Sequence, residues 1–215
     1  MTAPSWGKPM VSFADLGIEP LLVDALKQQG IVEPFEVQKE SIPDAMLGRD
    51  VCCRAPTGSG KTLAFGLPLL AMTEEAEPSR PTSLILTPTR ELAEQIFNVL
   101  DPLAYELQLY VQAMYGGSSY NKQYRALERG IDVLVACPGR LIDMMDRGAV
   151  SLDDVGIVVL DEADRMADMG FMEPVCKILD RCKKDRQTIL FSATLDDEVA
   201  DLVRDYQTDP VTIEV

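Results

Sequence analysis

The sequence predicts an α/β fold: a single domain built on a mostly parallel β-sheet with helices on both faces. Three observations carry that expectation. Short β-rich runs alternate with stretches of helical spacing along most of the chain. Two of those runs, residues 83–87 and 156–160, are almost wholly apolar, as strands buried on both sides must be. The length, 215 residues, suits one large domain with a core of its own.

Taken in order, residues 1–11 hold two prolines and no periodicity, and are expected to form a mobile lead-in to a domain spanning 12–215. Leu21, Leu22, Ala25 and Leu26 share one face of a first helix. Strands are expected at 51–53, 83–87, 110–115, 132–136, 156–160, 188–191 and 211–215. Leu92, Ile96, Val99 and Leu103 recur at three and four residues and predict a helix, which Pro102 should kink or end. Residues 73–82 (TEEAEPSRPT), with two prolines and several charges, read as an exposed loop. The sequence shows no internal repeat.

Composition narrows the chemistry. Lys and Arg number 20 against 35 Asp and Glu, a net charge of −15, and there is no histidine. That excludes Ser-His-Asp triads, histidine metal sites and imidazole bases within this chain. The acidic balance also argues against broad electrostatic adhesion to nucleic acid. Five cysteines (52, 53, 137, 176 and 182) form an odd set without a Cys-x-x-Cys pair, so small buried thiols are expected rather than a disulfide framework or zinc ribbon. The opening MTAPSWGKPM lacks the apolar core of a signal peptide, and no apolar run approaches the ~18 residues of a membrane span. A cytoplasmic protein, free of membrane, is the expectation.

The sharpest local feature follows the first strand: Arg54, Ala55, Pro56, Thr57, Gly58, Ser59, Gly60, Lys61, Thr62. Two glycines let the backbone turn so that several N–H groups converge on phosphate oxygens. Lys61 adds a point charge for the outer phosphates, the Thr62 hydroxyl can ligate Mg²⁺, and the next helix presents its positive end. The pattern departs from G-x-x-x-x-G-K-[ST] only in having Ala55 first. Further on, an apolar strand ends in Asp161, Glu162, Ala163, Asp164. The first carboxylate can hold Mg²⁺ beside the phosphates and the second can take a proton from water. Asp164 also suits a helix start. Lysine loop and acid pair together specify an NTPase.

Here the chain resembles a known family. Asp161-Glu162-Ala163-Asp164 is the tetrapeptide that names the DEAD-box RNA helicases. Phe13, then Gly30 to Gln38 with Ile31 and Pro34, is similar to that family's adenine-reading Q motif. Pro88-Thr89-Arg90, Gly116-Gly117 and Pro138-Gly139-Arg140 resemble its RNA-contacting motifs, and Ser192-Ala193-Thr194 the one that couples nucleotide to RNA, with Asp164. The resemblance covers residues 12–215 and implies the first RecA-like domain of a bacterial-type, ATP-dependent RNA helicase. It also implies ATP and Mg²⁺ as cofactors and RNA gripped through its backbone without sequence preference. The residues themselves are compatible with these roles. Gln38 carries a donor and an acceptor for adenine; Phe13 suits either the core or the nucleotide; Arg90 and Arg140 suit phosphate or a solvated surface. Gly116 and Gly117 can admit RNA closely or simply end a strand, and Ser192 and Thr194 can cap a helix.

Three departures stand out. Ile31 sits where the family usually has an aromatic residue, Cys137 where a threonine commonly precedes Pro-Gly-Arg, and the family's second RecA-like domain is absent from this chain, which stops at Val215. That domain brings an arginine finger, worth about 10³–10⁵ in rate for such NTPases. The isolated, monomeric domain is therefore expected to bind ATP weakly and hydrolyse it slowly. Two other readings are open: a P-loop ATPase acting on DNA or protein, and an ATP-responsive binding module.

Overall fold

The computed structural model describes residues 10–215; residues 1–9, most of the expected lead-in, lie outside the described residues. The strands are β1 (Val51–Arg54), β2 (Ser83–Leu86), β3 (Val111–Met114), β4 (Val133–Ala136), β5 (Ile157–Asp161), β6 (Gln187–Ser192) and β7 (Val211–Glu214). They form one 7-stranded sheet in the order β3-β4-β2-β5-β6-β1-β7, every pair parallel. Each predicted run is present, most trimmed or shifted by a residue. The helices are α1 (Pro20–Gln28), α2 (Glu36–Met46), α3 (Lys61–Met72), α4 (Arg90–Glu106), α5 (Tyr120–Glu128), α6 (Pro138–Asp146), α7 (Ala163–Asp168), α8 (Met172–Leu179) and α9 (Asp197–Tyr206).

Side-chain alternation assigns each helix to a face. Cys53, Ile85, Val135, Val159, Ile189 and Phe191 point one way and pack with α1 to α4. Their neighbours Cys52, Leu84, Leu134, Val158, Leu160 and Leu190 point the other way, under α5 to α9. Both faces are therefore closed by helices, the condition for an all-parallel sheet. All five cysteines are free thiols, and burial pushes Cys53 and Cys182 up to about 12. No described helix is long and apolar enough to cross a membrane.

At the amino-terminal edge of the sheet, two buried carboxylates hold loops in place. Asp50 accepts the N–H groups of Thr188 at 2.8 Å and Thr208 at 2.6 Å. Asp132 accepts those of Ala76 and Tyr110, both at 2.7 Å. The carboxyl-terminal edge is thereby left free for function.

Two expectations about α4 are narrowed by the structure. Its buried stripe is Ala93, Ile96, Leu100, Leu103 and Ala104, with Leu92 and Val99 only half-buried beside it. Pro102 does not end the helix, which runs on to Glu106. The proline and Asn98, whose carbonyl loses its N–H partner, are both on the exposed side of the helix, so that carbonyl is not sealed in the core.

Candidate functional site

In a parallel sheet all carboxyl-terminal strand ends share one edge, and ligands bind there. The strand order sorts the motifs along it. Those for phosphate and acid chemistry follow β1, β5 and β6, three adjacent strands; those carrying Arg90, Gly116–Gly117 and Arg140 follow β2, β3 and β4, a second adjacent set, with β7 outside both at the far edge.

The loop after β1 turns through Gly58 at φ 82° and Gly60 at φ 91°, both left-handed. Gly60 is demanded twice over: a Cβ there would lie 2.5 Å from the Phe35 ring and 2.8 Å from Gln38 Nε2. The Ser59 hydroxyl donates to the Pro56 carbonyl at 2.8 Å, and the N–H of buried Ala55 donates to the Ser192 carbonyl at 3.0 Å. Pro56, Thr57 and Gly58 form the exposed crest. Lys61 opens α3 and is 8% exposed, with half-buried Thr62 next to it.

Gln38 is buried and ties α2 to this loop. Its Oε1 accepts the Phe35 N–H at 2.8 Å and its Nε2 donates to the Gly60 carbonyl at 2.9 Å. One acceptor site and one donor remain on the amide. Beside it opens a cavity of about 600 Å³ lined by Ile31, Phe35, Gln38, Gly60, Thr62 and Val99 among others. Phe13, which the resemblance places near the nucleotide, is instead in the hydrophobic core, 1% exposed and outside that lining. Pro34 is buried and also outside the lining.

Asp161 ends β5 in register with Phe191, one residue before Ser192. Burial pushes its carboxyl up to about 7; the Lys61 charge pulls the other way and Glu162 adds to the rise. Its Oδ1 is buried without a hydrogen-bond partner. An orphaned carboxylate oxygen within reach of the Lys61 charge suits a hard divalent cation. Glu162 sits at φ 53°, an uncommon conformation for a non-glycine residue, and its carboxylate lies 3.5 Å from the Arg165 guanidinium. Asp164 joins β5 to β6. Its N–H donates to the Ser192 hydroxyl at 3.0 Å, and its carboxylate accepts from the Thr194 N–H at 3.2 Å and hydroxyl at 3.4 Å.

On the other half of the edge, Thr89 caps α4 by accepting the Leu92 N–H at 3.3 Å, which sets Arg90 at the helix start. Arg90 pairs with Glu94 at 3.2 Å and lies 4.8 Å above the Tyr115 ring, whose hydroxyl donates to the same Glu94 oxygen at 2.6 Å. Gly116 and Gly117 are exposed just beyond, Gly117 in the left-handed region at φ 84°. Pro138 and Gly139 open α6, and Arg140 there donates to the Ser118 carbonyl at 3.1 Å and to Gln123 at 2.8 Å. Its guanidinium stacks 4.0 Å from the Tyr120 ring. Cys137, the N-cap of α6, makes no side-chain cap, and burial pushes its thiol up to about 11.

Residues 35–202 match the profile of the DEAD/DEAH box helicases. The chain belongs to that family. It is 42% identical to the RNA helicase CrhR of Synechocystis over 95% of this chain and 41% of that protein. It is 43% identical to the mitochondrial DEAD-box ATP-dependent RNA helicase 9 of Arabidopsis thaliana over 98% of this chain and 35% of that one. Among solved structures, a DEAD box protein from Methanococcus jannaschii superposes with a TM-score of 0.87 at 34% identity, covering 94% of this chain and 55% of its own. A hypothetical ATP-dependent RNA helicase from Sulfolobus tokodaii gives 0.84 at 36%, covering 91% and 56%. The chain thus spans about two fifths of the length of these curated helicases, and its all-parallel sheet is that of a RecA-like DEAD-box domain.

Sequence reasoning missed several participants in this DEAD-box domain. Glu94, Tyr115, Tyr120 and Gln123 hold the two arginines. The Arg90–Glu94 pair could have been found from its four-residue spacing on a helix; the aromatic partners follow only from the fold.

Proposed function

We propose that this chain is the ATP-binding half of an ATP-dependent RNA helicase that opens short duplexes without regard to sequence. The observation that carries the reading is the division of one sheet edge, with the phosphate and acid motifs on β5-β6-β1 and the arginine and glycine motifs on β3-β4-β2. The Gln38 segment reads adenine with the donor and acceptor it has left. Backbone amides of residues 57–61 and Lys61 hold the phosphates, and the helix start favours their charge. Thr62 and Asp161 are the residues that would hold Mg²⁺, which neutralises charge on the phosphates when bound. Glu162 accepts a proton as water attacks the γ-phosphorus, the bond to the bridging oxygen breaks, and ADP and phosphate result. Asp164 reports the outcome to Ser192 and Thr194. Arg90 and Arg140, with the backbone at Gly116 and Gly117, hold RNA phosphates and sugars.

A second RecA-like domain completes the site in the whole protein, which works in the cytoplasm; this domain alone is a monomer and a poor ATPase. The test is ATP turnover by this chain and by the two-domain protein, each with RNA, with DNA and with neither. Turnover of the two-domain protein should rise with RNA and not with DNA, and Glu162→Gln should abolish it. Equal stimulation by DNA would favour the broader P-loop ATPase. Full activity of Glu162→Gln in every assay would favour a binding module. Full RNA-stimulated turnover by the present chain alone would refute the two-domain mechanism.

A further inference from the structure

Phe35 is an unusual choice for its position. It is the N-cap of α2, where an oxygen-bearing side chain would satisfy a free N–H, and it makes no such bond. Only the reverse half of the cap forms, Gln38 Oε1 accepting the Phe35 N–H. The ring is 60% exposed although the core nearby is closed. Among the described residues it is the one aromatic side chain lining the 600 Å³ cavity, whose other walls include Ile31, Val32, Leu63 and Val99. Ile31 offers a branched apolar surface and no π face. The Phe35 ring instead lies against Gly60, close enough that a Cβ there would sit 2.5 Å from Cδ2, on the residue directly before Lys61.

The wetted ring is relieved if a flat, apolar ligand bearing hydrogen-bond donors and acceptors on its rim enters the cavity. A purine attached to a phosphate chain has that shape. Its face meets the ring, its rim meets the free valences of Gln38, and its phosphates reach the Gly58–Lys61 loop. We propose that Phe35 is the base-stacking residue of this nucleotide site, supplying from the start of α2 the aromatic face that Ile31 does not. This rests on the ATP-binding reading and adds to it a specificity element: stacking accepts any purine, so the choice of adenine falls to Gln38.

The experiment uses the 215-residue chain and three probes: ADP, GDP and inorganic tripolyphosphate. Base–aromatic stacking is worth enough that Phe35→Leu should weaken ADP and GDP alike, roughly five- to hundredfold, and leave tripolyphosphate within twofold. The sequence has one tryptophan, Trp6, so Phe35→Trp in a Trp6→Phe background gives a single emitter. ADP should quench it and tripolyphosphate should not. Unchanged ADP affinity in Phe35→Leu, equal loss of tripolyphosphate, or no quenching of the introduced indole by ADP would each overturn the assignment while leaving nucleotide binding intact. A wild-type chain that binds none of the three probes overturns the ATP-binding reading and the stacking role with it.

Discussion

Replacing Asp161 by asparagine should make the ligand-free domain more stable, and the gain should depend on pH. The carboxyl is 5% exposed, one of its oxygens has no partner, and burial lifts it from 3.8 to about 7. The folded state therefore binds a proton between those values that the unfolded chain does not. The neutral carboxyl's share of stability is complete below about pH 4 and is lost as pH rises through about 7. Three units at about 1.4 kcal/mol each put the full cost of the buried charge near 4 kcal/mol at pH 8. Asparagine keeps the shape and removes the charge, but it strips Lys61 of its counter-charge, so a net gain of about 2–4 kcal/mol is expected. In a domain of this size each kcal/mol moves Tm by about 2–4 °C. Urea denaturation followed by far-ultraviolet circular dichroism at pH 8 and pH 3.5 measures both limits. The gain should be large at the first and nearly absent at the second. A gain of equal size at both pH values, or a loss at pH 8, would refute the burial argument. The same variant should lose ATP hydrolysis in the two-domain protein.

Three further substitutions probe the edge. Cys137→Thr gives α6 the N-cap oxygen it lacks and should stabilise the domain by about 1 kcal/mol in denaturant titrations. Glu162→Gly relieves the left-handed backbone at φ 53° and should add up to about 1 kcal/mol of stability while eliminating turnover; a destabilised variant would show that Glu162 holds the strand–helix junction together instead. Glu94→Gln removes the carboxylate that occupies Arg90. RNA affinity of the two-domain protein should rise roughly two- to fivefold and fall more steeply with salt, because one more cation then faces phosphate.

The sequence made the strands legible because each is an apolar run between turn residues, and a parallel sheet leaves such runs no polar face. The nucleotide motifs were legible for a related reason: the left-handed turns at Gly58 and Gly60 tolerate little besides glycine. The α4 stripe was read one position off because Leu92 and Val99 are apolar at helical spacing yet only flank the buried face. Phe13 was ambiguous because a lone aromatic near a chain start carries no period. The burial of Asp161 could not be read at all: it depends on β6 lying beside β5, a pairing of distant segments.

The strand order also fixes when this domain can be finished. β1, which leads into the phosphate loop, pairs with β6 and β7 and with no other strand. On a ribosome its apolar Val51–Cys53 stretch must wait until the chain has grown through Ser192. At about 5–20 residues per second that is on the order of ten to thirty seconds without a sheet neighbour. Strands β2 to β5 can meet one another meanwhile. The nucleotide site is thus the last part of the domain to be assembled, and ATP can recognise only a chain whose final strands have already arrived.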